Sequence, residues 1–167
     1  MQFFTSFVLS ALIVATASAQ PGSVAVRAAA QKPAALPALH EWAETAITAV
    51  FTATSPAALN DAYELFWADD VSIVLNGLAL STKEYSDRRS AQGFSGTSTI
   101  QFTASFDQPT VANSTQAGLV SLFFTNAVPG MPAVDSTMNL IIRPDPFAKT
   151  ADTRRVYFID QVAAVKA

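Results

Sequence analysis

The chain has 167 residues, with 10 Lys or Arg, 13 Asp or Glu and no cysteine, for a formal net charge of −3 at pH 7. Its length suits one domain with a substantial hydrophobic core, and without cysteine its stability must come from apolar packing rather than disulfides. A mildly acidic chain with no basic stripe is poorly suited to binding nucleic acid or an anionic membrane surface.

Phe3 to Ala17 is an uncharged apolar stretch, and Ala17-Ser18-Ala19 places small residues where signal peptidase accepts them, just before Gln20. The stretch is too short to span a bilayer comfortably. The expectation is a signal peptide over 1–19, a secreted extracellular protein, and no membrane association once the leader is removed. Residues 20–37 are rich in Ala and Pro and lack apolar periodicity, which reads as a flexible leader. The folded domain is then expected over 38–167.

Leu39, Trp42, Ala43, Ala46, Ile47, Val50 and Phe51 recur at helical spacing and form one broad apolar face. A second helix opens at Ser55-Pro56, with Ser as N-cap and Pro at the first helical position, where its missing N–H is harmless. Leu59, Ala62, Tyr63, Phe66 and Trp67 line its apolar side. After Asp69-Asp70 the period becomes strand-like in Val71, Ile73 and Leu75, and Asn76-Gly77 signals a two-residue hairpin leading into Leu78 to Leu80. Ser81-Thr82-Lys83-Glu84 fits a capping box, Arg88 and Arg89 suit the end of that short helix, and Gly93 stops it. The remainder reads as β structure. Ile100, Phe102, Ala104 and Phe106 share one face of a strand whose other face, with Gln101 and Thr103, is wet. Gly118 to Thr125 is apolar on both faces, which predicts a central strand covered on both sides. Val134 to Ile142 alternates as a third long strand, and in the last strand Val156, Phe158, Asp160 and Val162 fall on one face.

This order of two helices, a hairpin, a capped short helix and four long strands resembles the SnoaL-like branch of the nuclear transport factor 2-like superfamily. The similarity covers about Ala38 to Ala164 and rests on Phe66-Trp67-Ala68-Asp69-Asp70-Val71, on Asn76-Gly77 and on Ser81 to Tyr85. It implies an α+β fold in which N-terminal helices pack in the concave face of a strongly curved, mainly antiparallel sheet, a cone-like α+β barrel with a hydrophobic cavity at its wide end. In that superfamily the ketosteroid isomerases carry a carboxylate base about five residues past the second Asp of their Ala-Asp-Asp motif. Counting from Asp70 lands here on Leu75, which cannot take a proton. Superfamily dehydratases and cyclases use a histidine on the pocket wall, whereas the one histidine of this chain is His40, at the start of the first helix.

Among residues that could carry chemistry, His40 and Glu44 have a helical spacing able to hold a metal but lack a third ligand nearby, so no metal or other cofactor is expected. Asp160, by strand alternation, should point into the pocket, where Tyr63 or Tyr85 could meet it; Asp160, Asp70 and Tyr63 are the catalytic candidates. The expected pocket lining is Trp42, Tyr63, Phe66 and Trp67 from the helices, facing Phe102, Phe123, Met138, Phe158 and Asp160 from the strands. Phosphate-binding Gly loops, Gly-x-Ser-x-Gly elbows and His-Glu-x-x-His are absent from the sequence. Three functions fit these observations. The first is a secreted protein binding a small hydrophobic or aromatic molecule in the cone. The second is a cofactor-independent isomerase, dehydratase or cyclase using a pocket carboxylate and a tyrosine. The third is a homodimeric interaction module using the open sheet face. Asn113-Ser114-Thr115 is the one N-glycosylation sequon, placed between predicted strands, and makes Asn113 the expected glycan site.

Overall fold

The computed structural model describes residues 35–94, 97–112 and 114–166. The expected signal peptide, nearly all of the expected leader and Asn113 lie outside the described residues. From Ala35 onward the chain forms one unit.

Helix α1 spans Leu39–Phe51, and its stripe of Leu39, Ala43, Ile47, Val50 and Phe51 is buried. Ala38 has no side chain to cap with, so Glu41 turns back to accept the Ala38 N–H at 3.1 Å. Helix α2 spans Pro56–Phe66, and Ser55 Oγ accepts the Ala58 N–H at 3.1 Å, the expected cap. Strand β1 (Trp67–Leu75) begins as soon as α2 ends, earlier than the sequence period suggests. It turns through Asn76 and Gly77, with φ of 51° and 79°, into β2 (Leu78–Leu80). Two successive left-handed residues are what a type I′ hairpin demands. Helix α3 (Thr82–Ser90) opens with the reciprocal Ser81–Glu84 capping box. Strands β3 (Thr99–Pro109), β4 (Gly118–Ala127), β5 (Val134–Pro144) and β6 (Arg154–Val165) follow.

The six strands form one sheet in the order β2-β1-β6-β5-β4-β3, antiparallel throughout except for the parallel β1–β6 pair. The sheet is open, with β2 and β3 as its edges, so the cone does not close into a barrel. Its inner face carries Val120, Leu122 and Phe124 of β4, Met138, Leu140 and Ile142 of β5, and Val156 and Ile159 of β6. These residues form one core with α1 and α2. Gly118 lets α1 come close: a Cβ there would stand 2.8 Å from Leu39 Cδ1 and 2.5 Å from the Gln108 carbonyl oxygen.

Two bulges change which residues face inward. In β6, Val156 pairs with Ile142 but Phe158 pairs with Ile141, so Tyr157 is an extra residue. Beyond it, Ile159 and Gln161 point to the helices while Phe158 and Asp160 point to the outer face. In β3, Phe102 pairs with Phe124 and Ala104 with Phe123, which makes Thr103 the extra residue and leaves Phe106 outward and 63% exposed. An inserted residue inverts the two-residue side-chain period from that point on. β4 lies inside the sheet as expected, but among the described residues only its inner face is covered: Leu119 and Phe123 stand outward, 43% and 37% exposed.

Two buried arginines fasten α1. Arg154 of β6 is 1% exposed. It donates to the Pro37 carbonyl at 2.9 Å, just before the helix, and to the Thr115 carbonyl at 3.1 Å, and its guanidinium lies 5.2 Å from the Trp42 ring centroid. Its charge is met by a two-point contact with Asp152, Nε to Oδ1 at 2.9 Å and Nη2 to Oδ2 at 2.6 Å. Arg89 of α3, 3% exposed, donates from Nε to the Val50 carbonyl at 3.3 Å and from Nη2 to the Phe51 carbonyl at 2.5 Å, which caps the other end of α1.

Burial works against the Asp152 carboxylate, but the hydrogen bonds and charge of Arg154 outweigh it and hold its pKa below the usual carboxylate value. A carboxylate depressed in the folded state gives stability that is complete above its unfolded pKa and is lost as pH falls through the folded value. Asp152→Asn should therefore cost roughly 1–3 kcal/mol near neutral pH, in the range for a hydrogen-bonded charge rather than a fully buried pair. Urea unfolding at about pH 7 and about pH 3 checks this, because the gap between wild type and variant should narrow as the wild-type carboxylate becomes protonated.

Candidate binding cavity

On three adjacent strands the inward residues change from apolar to polar at the same end of the sheet. Asn126 follows Val120, Leu122 and Phe124 on β4, Ser136 precedes Met138 on β5, and Gln161 follows Ile159 on β6; all three are buried. The pairings of Ser136 with Phe124, Asn126 with Val134 and Gln161 with Met138 bring them to one level. Helix α3 covers this level. Tyr85 Oη donates to Gln161 Oε1 at 2.7 Å, and Gln161 Nε2 donates to Ser136 Oγ at 3.2 Å. One turn after Tyr85, Arg89 reaches the end of α1, and its Nη1 also donates to the Gly93 carbonyl at 3.2 Å.

Between these groups lies a cavity of about 80 Å³, lined by Phe51, Leu75, Tyr85, Arg88, Arg89, Gln92, Asn126, Val134, Ser136, Gln161 and Ala163. Asn126 Oδ1 and Gln92 Oε1 are buried without a hydrogen-bond partner. A buried polar atom left unpaired costs about 1–3 kcal/mol, so these two oxygens call for a partner that the described chain does not supply, either water or a ligand group.

An aromatic partition separates the cavity from a larger groove of about 610 Å³ between α2, α3, the start of β1 and the β5–β6 loop. Tyr63 stacks on Trp67 with centroids 3.7 Å apart, and Trp67 meets Tyr85 edge-on at 5.7 Å. Tyr63 and Trp67 line the groove and Tyr85 lines the cavity. Burial raises the pKa of both Tyr63 and Tyr85 well above the ordinary phenol value, against an opposing pull from Arg89. Both phenols therefore stay protonated; Tyr85 Oη donates to Gln161, and Tyr63 Oη is buried without a partner. The groove is wide open, and Lys83 at its edge is already paired with Asp87 at 2.6 Å. Tyr63 Oη and Trp67 Nε1, on residues that line the groove, are also buried without a partner; the cavity is singled out because its wall joins the Tyr85–Gln161–Ser136 chain to two unpartnered amide oxygens.

The structure distributes the sequence-predicted site residues among five places. Trp42, Phe66, Phe102 and Met138 fill the cone themselves: Trp42 packs on Phe66 at 5.8 Å, Phe102 packs on Phe124 at 5.7 Å, and Met138 is fully buried. The wide apolar space they were expected to enclose is occupied by their own side chains. Tyr63 and Trp67 form the partition. Phe123, Phe158 and Asp160 point to the outer face, the last two because of the Tyr157 bulge, and Gln161 takes the inward position expected of Asp160. Asp69 and Asp70 are exposed on β1 where its register with β6 slips, between Trp67 and Ser72. His40 Nδ1 lies 3.2 Å from Asp107 Oδ2, a partner that the β3 bulge turns inward, and Glu41 is engaged with the Ala38 N–H. Sequence reasoning missed Arg89, Asn126, Ser136 and Gln161 as site residues. The one signal for them is the shared position of a polar residue at the end of each inward apolar run.

No protein-family model and no curated protein matches this chain. Among solved structures, it is similar to an NTF-2-like protein of unknown function from Pseudomonas aeruginosa, at 12% identity and a TM-score of 0.51, covering 74% of this chain and 94% of that one. It is also similar to a chain of the C. albicans Mtr2–Mex67 M domain complex, at 9% identity and a TM-score of 0.55, covering 76% of this chain and 94% of that one. With three helices set against one face of a six-stranded mixed sheet, the chain has the nuclear transport factor 2-like fold.

Proposed function

We propose that this is a secreted protein that binds a small hydrophobic or aromatic molecule at the wide end of the cone. The observation that carries the reading is the cavity under α3, whose wall holds the Tyr85–Gln161–Ser136 chain and the unpartnered amide of Asn126. Its volume of about 80 Å³ holds two or three waters at ~30 Å³ each, so it takes one end of a molecule. Leu75, Val134 and Ala163 offer apolar surface to the rest. Proton-transfer chemistry has less support. Asp160 points to the outer face and Asp70 is exposed, and no carboxylate lines the cavity among the described residues, so Tyr85 has no base opposite it there.

Titration of a panel of hydrophobic ligands against tryptophan fluorescence tests this, since Trp67 touches Tyr85. At least one ligand should give a saturable change. Gln161→Leu should weaken it about tenfold by removing the link between Tyr85 and Ser136, and Asp160→Asn should leave it unchanged. If no ligand gives a saturable signal by fluorescence or calorimetry, the reading fails.

Export is supported by the apolar Phe3 to Ala17 stretch ahead of Ala17-Ser18-Ala19, and among the described residues no helix is long and apolar enough to cross a membrane. Protein recovered from the medium of a secreting eukaryotic host should begin at Gln20 or shortly after and lose mass on glycosidase treatment, reporting a glycan on Asn113. Retention of Met1 to Ala19 would overturn export by cleavage, and an unchanged mass would overturn the glycan.

A second reading rests on the outer face of the sheet. Phe106, Leu119, Phe123 and Val162 are exposed there, with Phe106 edge-on to Phe123 at 6.3 Å, and exposed apolar side chains gathered on one face favour association. A second copy of the chain, packed face to face about a two-fold axis, would cover it without requiring another partner. Sedimentation velocity should show a dimer for the wild type and a monomer for Phe123→Asp. A wild type that stays monomeric at high concentration sinks the idea.

A further inference from the structure

We infer that the group entering the cavity is a carboxylate, so that the ligand is a small organic acid with an apolar or aromatic body. This rests on the binding reading above and specifies its chemistry.

The cavity wall carries Arg88 and Arg89 and, among the described residues, no Asp or Glu, in a chain whose acidic residues outnumber its basic ones by 13 to 10. The two buried arginines at the ends of α1 differ in one respect. Arg154 has the Asp152 carboxylate 2.6 Å away. Arg89 donates only to the carbonyls of Val50, Phe51 and Gly93, and no carboxylate of the described residues lies within ion-pair distance of it. The end of α1 supplies the equivalent of about half a negative charge, which leaves part of the guanidinium charge unbalanced in a buried setting. Tyr63 and Tyr85 cannot supply the rest, because burial keeps both phenols protonated.

Capping α1 explains the hydrogen bonds of Arg89. It does not explain the idle polar groups around it. Ser136 Oγ accepts from Gln161, which leaves its own proton for the cavity. Asn126 has no side-chain partner, and a half-turn of its amide presents N–H in place of oxygen. The unpartnered atoms of Asn126 and Gln92 are both oxygens, and with the two amides turned end for end a carboxylate, whose two oxygens accept about four hydrogen bonds, meets N–H groups, the Ser136 hydroxyl and the arginines. A hydroxyl would leave the Arg89 charge as it is, and an ammonium would be repelled by it. The small volume admits the head group, with the body held against Leu75 and Val134 at the mouth.

The experiment compares benzoate, benzamide, benzyl alcohol and benzylamine by calorimetry and tryptophan fluorescence on the wild type, Asn126→Asp and Ser136→Ala. Benzoate should bind about tenfold tighter than the two neutral compounds, the margin expected for charged over neutral hydrogen bonds, and benzylamine weakest of all. Asn126→Asp, nearly isosteric, should reduce benzoate affinity at least about tenfold while holding or raising the melting temperature, since it places a carboxylate on the cavity wall that Arg89 also lines. Ser136→Ala should weaken benzoate several-fold with the fold intact by circular dichroism. If benzamide or benzyl alcohol binds as well as benzoate, the carboxylate inference falls and the binding reading stands. If none of these compounds and none of the hydrophobic panel binds, the binding reading falls and the inference with it. A folded Asn126→Asp protein with a lower melting temperature and unchanged benzoate affinity would show that the Arg89 charge is already satisfied, and would also overturn the inference.

Discussion

Everything in this fold depends on where α1 sits in the sheet, and α1 is held at its two ends by arginines from different elements. Arg154 reaches from β6 to the Pro37 carbonyl and the Trp42 ring, and Arg89 reaches from α3 to the last carbonyls of the helix. Gly118 sets how closely the helix approaches, because any side chain there would strike Leu39 and the β3 backbone. A helix fixed at both ends cannot slide along the sheet. Its apolar stripe therefore meets Val120, Leu122, Leu140 and Ile142 in one register and stops at Phe51. Beyond Phe51 the inner face of the sheet is covered by α3 instead of α1, and there the inward residues become polar.

The helices and the hairpin were legible in the sequence because their signals are local. The stripe from Leu39 to Phe51, the Ser55-Pro56 start, the Ser81–Glu84 box and the Asn76-Gly77 turn each depend on residues within a few positions of one another. The faces of the strands were legible only up to the first bulge. Thr103 and Tyr157 are good strand formers with nothing in their neighbourhood to mark them as extra residues. One unmarked residue in β6 exchanges Asp160 for Gln161 on the inner face. What alternation alone reads as a buried acid is a buried amide, and that shifts the chemistry of the pocket from proton transfer toward hydrogen bonding.

The polar level of the sheet was beyond sequence reading for a different reason. Asn126, Ser136 and Gln161 belong to three strands, and only the pairings of β4 with β5 and β5 with β6 bring them together. Arg89 was read as a residue suited to the end of its own short helix. Its guanidinium instead serves the end of α1, 38 residues earlier in the chain. Interactions of this kind depend on tertiary placement, so no local pattern announces them.

The same placement explains why the cavity stays polar. If Asn126 were a leucine, its unpaired oxygen would disappear along with a cost of about 1–3 kcal/mol, and if Gln161 were one too the space below α3 could fill like the rest of the cone, though Tyr85 Oη would lose its acceptor. Arg89 would then have a dry wall opposite it, and the uncompensated part of its charge would be harder to bury than it is beside amides and a hydroxyl. The clamp that fixes α1 and the polar wall of the cavity are thus linked: a cation used to cap the central helix calls for polar neighbours, and those neighbours make a site that can receive a ligand. The fold decides only that an opening occurs at this end of the cone, whereas the residues around Arg89 decide what can enter it.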